Sequence, residues 1–467
     1  MISTIVSSLN DSYSKYREEK LNRKRVTHKE IISLIKPLMK RKNLTVKKEG
    51  YSIEGRDIYL LKFGSGKTKI LLWSQMHGDE PTATLAFFDL FNFLLKSDEY
   101  DSLRKEIFSK LTLYFVPMLN PDGAERITRE NAAGIDLNRD ALALQSPESK
   151  TLINLVDEIN PDFSFNMHDQ DFRWAAGDTN KMAALALLAP VFDSKKTINK
   201  SREKAIKLVA AIHNEFSKYL PGYIARYGDG YEPRSFGDTI AGRNSSTILI
   251  ESGKLANDPD KIVLRKINFL LLVYSFLSIT KGSYKKSPVE EYFKIPNNGN
   301  FMFDLLIKNA TFKVKGKNLK VDIAINLEEK YFKNERAPYY VSYVELIGDS
   351  KGLYGIEEFD ASGLTIVKGK CSKAIINTAK LDLITVQKAL LKGELCLLVK
   401  SGLGLKLYTQ FSINFVTGKN KNMFELKLKS PANFFLFKKE KPAYVVVNGK
   451  LLKIDEINGI EHNGLVL

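Results

Sequence analysis

Cysteine and histidine are both scarce in this chain, with two and five copies among 467 residues. Two cysteines, Cys371 and Cys396, exclude a disulfide framework and fit a reducing compartment. They read as buried apolar side chains, with a single bridge between them as the alternative. Long hydrophobic runs are lacking too. The longest, Ile267 to Ile279, spans 13 residues between Arg265–Lys266 and Lys281. That falls short of a membrane span and predicts a buried helix. Met1 to Met39 holds no apolar core of signal-peptide length. It reads as a polar lead-in followed by a short helix, Lys29 to Lys36, that stops at Pro37. The expectation is a cytoplasmic protein without a membrane partner.

Acidic residues are outnumbered. Lysine and arginine total 71 against 54 acidic residues, a net charge of +17. A nucleic-acid surface is one reading of that excess. The lysines are scattered and no nucleic-acid-binding motif accompanies them, so a lysine-rich solvated surface is preferred. Hydrophobic residues make up 44% and charged residues 27%, as in ordinary globular proteins. The length exceeds one ordinary domain.

From residue 69 to 280, apolar strand runs alternate with amphipathic helices, predicting an α/β sheet covered on both faces. Gly50 to Arg56 is a turn between short extended segments. Gly64-Ser65-Gly66-Lys67-Thr68 resembles the tail of a phosphate-binding loop, but Leu61 stands where the first glycine is required and a strand follows. It reads as a hairpin turn. Helices are expected at Thr82–Lys96, Lys150–Ile159 and Ser201–Tyr219. Between 282 and 300, Gly, Ser, Pro and Asn accumulate as in a linker. Beyond it, short alternating segments predict a β-rich accessory domain, with Asp382–Leu391 its one substantial helix. The expected division is a catalytic domain over 1–285 and an accessory domain over 297–467.

The informative stretch is Ser74-Gln75-Met76-His77-Gly78-Asp79-Glu80-Pro81. It follows the strand-like run Ile70–Trp73 and precedes a helix, so His77 and Glu80 sit where sites cluster in α/β sheets. Imidazole nitrogen and carboxylate oxygen both suit zinc. Asn120-Pro121-Asp122-Gly123 follows a second apolar run, Leu111–Val116. Then come Arg129 and Gly134-Ile135-Asp136-Leu137-Asn138-Arg139. The runs Phe163–Met167 and Thr247–Ile250 end on His168 and Glu251.

In this order the set resembles the zinc carboxypeptidase family, related to pancreatic carboxypeptidase A, over roughly residues 50 to 280. The resemblance implies a mixed sheet of about eight strands between helices, followed here by the mostly-β region. It implies one Zn2+ per chain held by His77, Glu80 and His168, with Asp136 behind the first histidine. Glu251 matches the general base, Arg129 the group that steadies the oxyanion, and Asn138 and Arg139 the pair that grips a terminal carboxylate. The implied partner is a peptide with a free C-terminal carboxylate.

Several positions stay open. Arg126 competes with Arg129. The family's mobile-loop tyrosine corresponds to Tyr227 or Tyr231, neither without a gap. Gly237 to Arg243 would line the pocket for the terminal side chain, in a pattern unlike the pancreatic enzymes. Asp238 there either favours a basic side chain or caps the loop. Asp169, Gln170 and Asp171 line the cleft or a solvated loop. His213, on a helix face with Ile206 and Val209, reads as packing, and His28 and His462 have no partner in sequence. The competing functions are a zinc amidase acting on cell-wall-type peptides and an inactive binding module of the same fold.

Overall fold

The computed structural model describes residues 2–331, 338–377, 381–399, 408–409, 411–417, 424–457 and 464–466. His462 lies outside these. Two compact units divide the chain, Met1–Asn300 and Phe301–Leu467.

The first unit holds ten strands: β1 (Thr45–Tyr51), β2 (Asp57–Phe63), β3 (Thr68–Ser74), β4 (Leu111–Val116), β5 (Phe163–Asp169), β6 (Trp174–Ala176), β7 (Leu185–Leu188), β8 (Ile224–Arg226), β9 (Ser246–Ser252) and β10 (Asn298–Asn300). Eight of them form one sheet in the order β1-β2-β4-β3-β5-β9-β7-β8. The central strands β4, β3, β5 and β9 run parallel. β1 pairs β2, β2 pairs β4 and β7 pairs β9 antiparallel, so the sheet is mixed. β6 and β10 form a separate antiparallel pair.

Ten helices accompany them: α1 (Ile2–Ser12), α2 (His28–Leu38), α3 (Thr82–Leu95), α4 (Asp101–Lys110), α5 (Pro121–Arg126), α6 (Pro147–Ile159), α7 (Lys200–Phe216), α8 (Phe236–Gly242), α9 (Ile262–Lys281) and α10 (Val289–Lys294). Side chains alternate between the faces of a strand, and the core follows that alternation. On one face Ile70, Leu72, Phe165, Met167, Ile248 and Ile250 pack against α3, α7 and α9. On the other, Leu71 and Trp73 pack with Leu152 and Val156 of α6 and Phe236 and Ile240 of α8.

Four expectations are corrected here. The Gly64–Thr68 turn is not a hairpin, because β4 lies between β2 and β3. Gly66 presses against the start of β4, where a Cβ would fall 1.9 Å from the Lys110 carbonyl carbon. The lead-in is not simply polar, since it carries the helix α1. Ile2, Ile5, Val6 and Leu9 share one stripe of α1, which packs into the main core with Tyr13 and Tyr16. Tyr13 donates to Asp89, which also pairs with the buried Arg265 of α9. α2 runs past the expected stop, to Leu38, with Pro37 in its last turn and a Thr27–Glu30 capping box at its start. The linker-like zone is ordered: it carries a short 3-10 turn at Ser283–Lys286, then α10 and β10. The greasy run lies in α9. That helix is long and apolar enough to cross a membrane by length and composition, yet 72% of its apolar window is buried, against α1, α3 and α7.

The second unit is mostly β. An eight-stranded sheet is built on the long hairpin Met302–Val314 and Lys317–Tyr331. A smaller parallel sheet joins Lys370–Ile376, Glu394–Val399 and Asn414–Val416. The expected helix, Leu383–Leu391 with Asp382 as its cap, makes the crossover that two parallel strands require. This pairing sets Cys371 directly opposite Cys396, and the two form a disulfide. The preferred reading, two unpaired apolar cysteines, is thereby corrected in favour of its alternative, the single bridge; parallel register brings together residues 25 apart in sequence.

Candidate active site and metal centre

His77 and Glu80 lie in the tight turn between β3 and α3, where the Glu80 amide donates to the His77 carbonyl. His168 stands near the end of β5, the next strand. One turn and one strand therefore deliver three side chains to one point. Nδ1 of His77 is 2.8 Å from one Glu80 oxygen, and Nδ1 of His168 is 2.8 Å from the other. The two Nδ1 atoms are 3.2 Å apart. All three residues are buried, and their candidate ligand atoms lie within 4.8 Å of one another.

The partners behind these groups orient them. His77 Nε2 meets an Asp136 oxygen at 3.1 Å, which turns Nδ1 toward the cluster. The Asp169 backbone amide donates to Glu80. Asp169 itself takes hydrogen bonds from Thr82 and from Lys261, a pair with little solvent contact. Arg129 reaches Asp136 through Nε at 3.1 Å and His77 Nδ1 through Nη1 at 3.1 Å. Arg126, its competitor, pairs instead with Glu54 and the Asp122 carbonyl.

The charges respond to this crowding. Burial disfavours protonated His77, but the Glu80 and Asp136 carboxylates outweigh it and raise its pKa to about 9. Burial opposes ionisation of Glu80 as well, yet the two imidazoles hold its pKa well below the usual carboxylate range. His168 is pulled down by burial. The donor set, two imidazole nitrogens and one carboxylate, is that of a catalytic zinc with an open position. One divalent cation bonded to all three would replace the protons otherwise held between them. These residues fit the metal that the sequence resemblance implies.

Residues 31–170 match the family model described as zinc carboxypeptidase. The resemblance to the zinc carboxypeptidases is borne out. An uncharacterized protein of Zymomonas mobilis is 28% identical over 184 residues, spanning 38% of this chain and 44% of that protein. Carboxypeptidase SOL1 of Arabidopsis thaliana is 32% identical over 103 residues, spanning 20% and 21%. The chain thus matches less than half the length of these curated relatives. A metallo-carboxypeptidase of Burkholderia cenocepacia of known structure aligns over 56% of this chain and 70% of its own, at 18% identity and a TM-score of 0.45.

The matched carboxypeptidase stretch contains the candidate ligands, Arg129, Asp136, Asn138 and Arg139, but ends before Glu251. Glu251 is brought to the site by strand pairing: it stands opposite His168 in the β5–β9 register. Burial and the Glu80 carboxylate push its pKa well above the usual carboxylate range. Asn138 and Arg139 lie in a short 3-10 turn after Asp136, and the Asn138 amide donates to Asp136. The Asn138 side-chain oxygen accepts from the Phe236 amide at the start of α8. Arg139 makes no contact with the metal cluster; it faces Glu232 at 3.8 Å and is 43% exposed.

Of the two candidate tyrosines, Tyr227 is the nearer. Burial together with the charges of Glu251 and Glu80 pushes its pKa up to about 12, while Tyr231 is exposed. Asp238 caps the loop, accepting from the Glu232 amide at 2.7 Å. Burial raises its pKa to about 6. Asp171 pairs with Arg173 at the surface, and Gln170 is bonded to the Ala183 carbonyl. His28 bonds the Asp57 carbonyl, and His213 sits half-buried on α7. The sequence reading missed the Asp169–Lys261 pair, because 92 residues separate its members.

Proposed function

We propose that this protein is a zinc-dependent carboxypeptidase that removes the C-terminal residue of peptides. The observation that carries the reading is the convergence of His77, Glu80 and His168, with Glu251 beside them on the neighbouring strand. His77, Glu80 and His168 would hold a zinc ion, which would supply Lewis-acid activation of water and of the scissile carbonyl. Glu251 takes the proton from the attacking water and passes it to the leaving amine. Burial and the neighbouring Glu80 carboxylate raise its affinity for a proton, the direction that a base which later passes the proton on requires. Arg129, anchored through Nε by Asp136 and through Nη1 by His77, has its other terminal nitrogen, Nη2, to offer to the oxyanion. Tyr227 keeps its phenolic proton at neutral pH and serves as a hydrogen-bond donor at the Glu251 side.

Asn138 and Arg139 bind the substrate's terminal carboxylate. Arginine suits this through its planar fork of donors, which matches a carboxylate bidentately. The test compares one peptide as the free acid and as the C-terminal amide, with and without chelator. The free acid should lose one residue at a time and the amide should be cut far more slowly, with chelator stopping both. Equal cutting of acid and amide would overturn the exopeptidase reading in favour of another amide hydrolysis.

A further inference from the structure

Asn166 of β5 is fully buried, and among the described residues neither its Oδ1 nor its Nδ2 has a hydrogen-bond partner. Trp73, opposite it on β3, is equally buried with its Nε1 unpaired. Buried polar atoms in folded proteins are nearly always paired, and leaving one unpaired is costly. Three such atoms on two directly paired residues call for an explanation in the site's own terms.

Strand pairing supplies it. Residues opposite one another in a parallel pair share a face, and so do alternate residues along a strand. Asn166 therefore lies on the face that carries His168 and Glu251, two residues down β5, or about 7 Å along the strand. Gly237 of α8 approaches from the other side. A Cβ there would sit 3.7 Å from Asn166 Nδ2 and 3.4 Å from Pro190. Gly237 directly follows Phe236, whose amide bonds Asn138. Asn166 thus stands between the proposed carboxylate-binding end and the metal cluster. A terminal residue that spans this interval, carboxylate at one end and scissile carbonyl at the other, has its side chain left to face Asn166.

We propose that Asn166, with Trp73 beside it, forms the hydrogen-bonding floor of the pocket for the released side chain, and selects a terminal residue bearing a carboxamide over an isosteric apolar one. This rests on the carboxypeptidase reading. The unpaired set is two donors, Trp73 Nε1–H and the Asn166 amide N–H, and one acceptor, Asn166 Oδ1. A carboxamide oxygen meets the donors and its N–H meets the acceptor. Leucine leaves all of them unpaired. A terminal carboxylate side chain is disfavoured by Glu251 above the floor and by Asp238, the residue after Gly237.

The test uses the full-length zinc-loaded chain and peptides that differ only in their last residue: Gln, Leu, Glu and Lys. Wild type should prefer Gln to Leu by on the order of 10- to 100-fold in kcat/KM, mostly through KM, because the discarded pairings belong to binding. Asn166→Leu should abolish or invert that ratio at unchanged zinc content. Asn166→Asp should move the preference to Lys, and together with the wild-type panel it carries the test should the leucine variant not fold. A wild type that favours Leu over Gln overturns the proposal. So does a folded, zinc-loaded Asn166→Leu that keeps the wild-type ratio, which would assign the amide to a buried water. Release of no terminal residue from any peptide overturns the carboxypeptidase reading itself. It is distinct from release without regard to side-chain polarity, which overturns this proposal alone.

Discussion

At one end of the candidate site, the His77 and His168 side chains are 2% exposed and Glu80 9%, and each is held by two or more partners. At the other end, Arg139 is 43% exposed and its nearest acid stands 3.8 Å away. The first end is assembled before any substrate arrives, with its charges balanced internally. The second keeps a cation at the surface, with Nη1 on the neighbouring Asn138 carbonyl and only a distant acid, Glu232, which a substrate carboxylate can displace at little cost. Chemistry needs fixed groups, because reorganisation during the reaction raises the barrier. Recognition of a chain end tolerates a mobile arginine whose fork closes on its ligand. The contrast implies that substitutions at the rigid end abolish metal binding or turnover, whereas those at the loose end change which substrates are used.

The largest effect is expected for His168→Ala. It removes one of the three proposed ligands and should strip most of the zinc, and activity with it. The fold should persist, since the sheet core on the far face does not include His168. Elemental analysis and circular dichroism together check this. Full zinc content in the variant would break the assignment of the rigid end.

Glu251→Gln comes next. It preserves shape and removes the proton acceptor, so kcat should fall by about 10² to 10⁴ while zinc content and KM change little. Near-normal kcat would move the base elsewhere, with Asp169 the next carboxylate to try. That pairing also indicates what could be read without coordinates. His77 and Glu80 were legible because both sit in one turn, after an apolar run and before a helix. His168 and Glu251 were legible as residues that end apolar strands, although their adjacency depends on β5 and β9 being neighbours, which no local pattern states. The α1 helix was missed because its apolar stripe is four residues in an otherwise polar segment. The Asp169–Lys261 pair was invisible because folding alone brings its members together across 92 residues, and the Cys371–Cys396 bond stood only as an alternative because nothing local shows that their two strands pair.

Arg139→Ala should act at the loose end alone. Hydrogen bonds to a charged group contribute roughly 1.5 to 3 kcal/mol each, so loss of the fork amounts to about 3 to 5 kcal/mol. At about 1.4 kcal/mol per tenfold, kcat/KM for a free-acid peptide should drop by on the order of 10² to 10³. The amidated peptide, already poor, should change little, and zinc content should not change. If Arg139→Ala lowers zinc occupancy, the two ends are not separable in the way their geometry indicates.

The smallest effect, and the sharpest test of the boundary between the ends, is Asp136→Asn. Asp136 belongs to both: one oxygen holds His77 and accepts from the Asn138 amide, the other holds Arg129. Asparagine keeps the shape and can still accept from His77 Nε2, but it loses the charge. Loss of such a partner behind a ligand typically lowers metal affinity about 10- to 100-fold. A second consequence opposes the first. In the metal-free protein Glu80 and Asp136 raise the His77 pKa to about 9, so below that pH a proton competes with zinc for Nδ1. Zinc affinity of wild type should therefore rise with pH, about tenfold per unit from neutrality and levelling near pH 9. Without the Asp136 charge the His77 pKa falls and the competing proton is lost at lower pH. The affinity deficit of Asp136→Asn should thus be smaller at pH 7 than at pH 9.5. Zinc titrations against a competing chelator at the two pH values measure this directly. A deficit that is the same at both would mean that the Asp136 contact orients His77 without setting its charge.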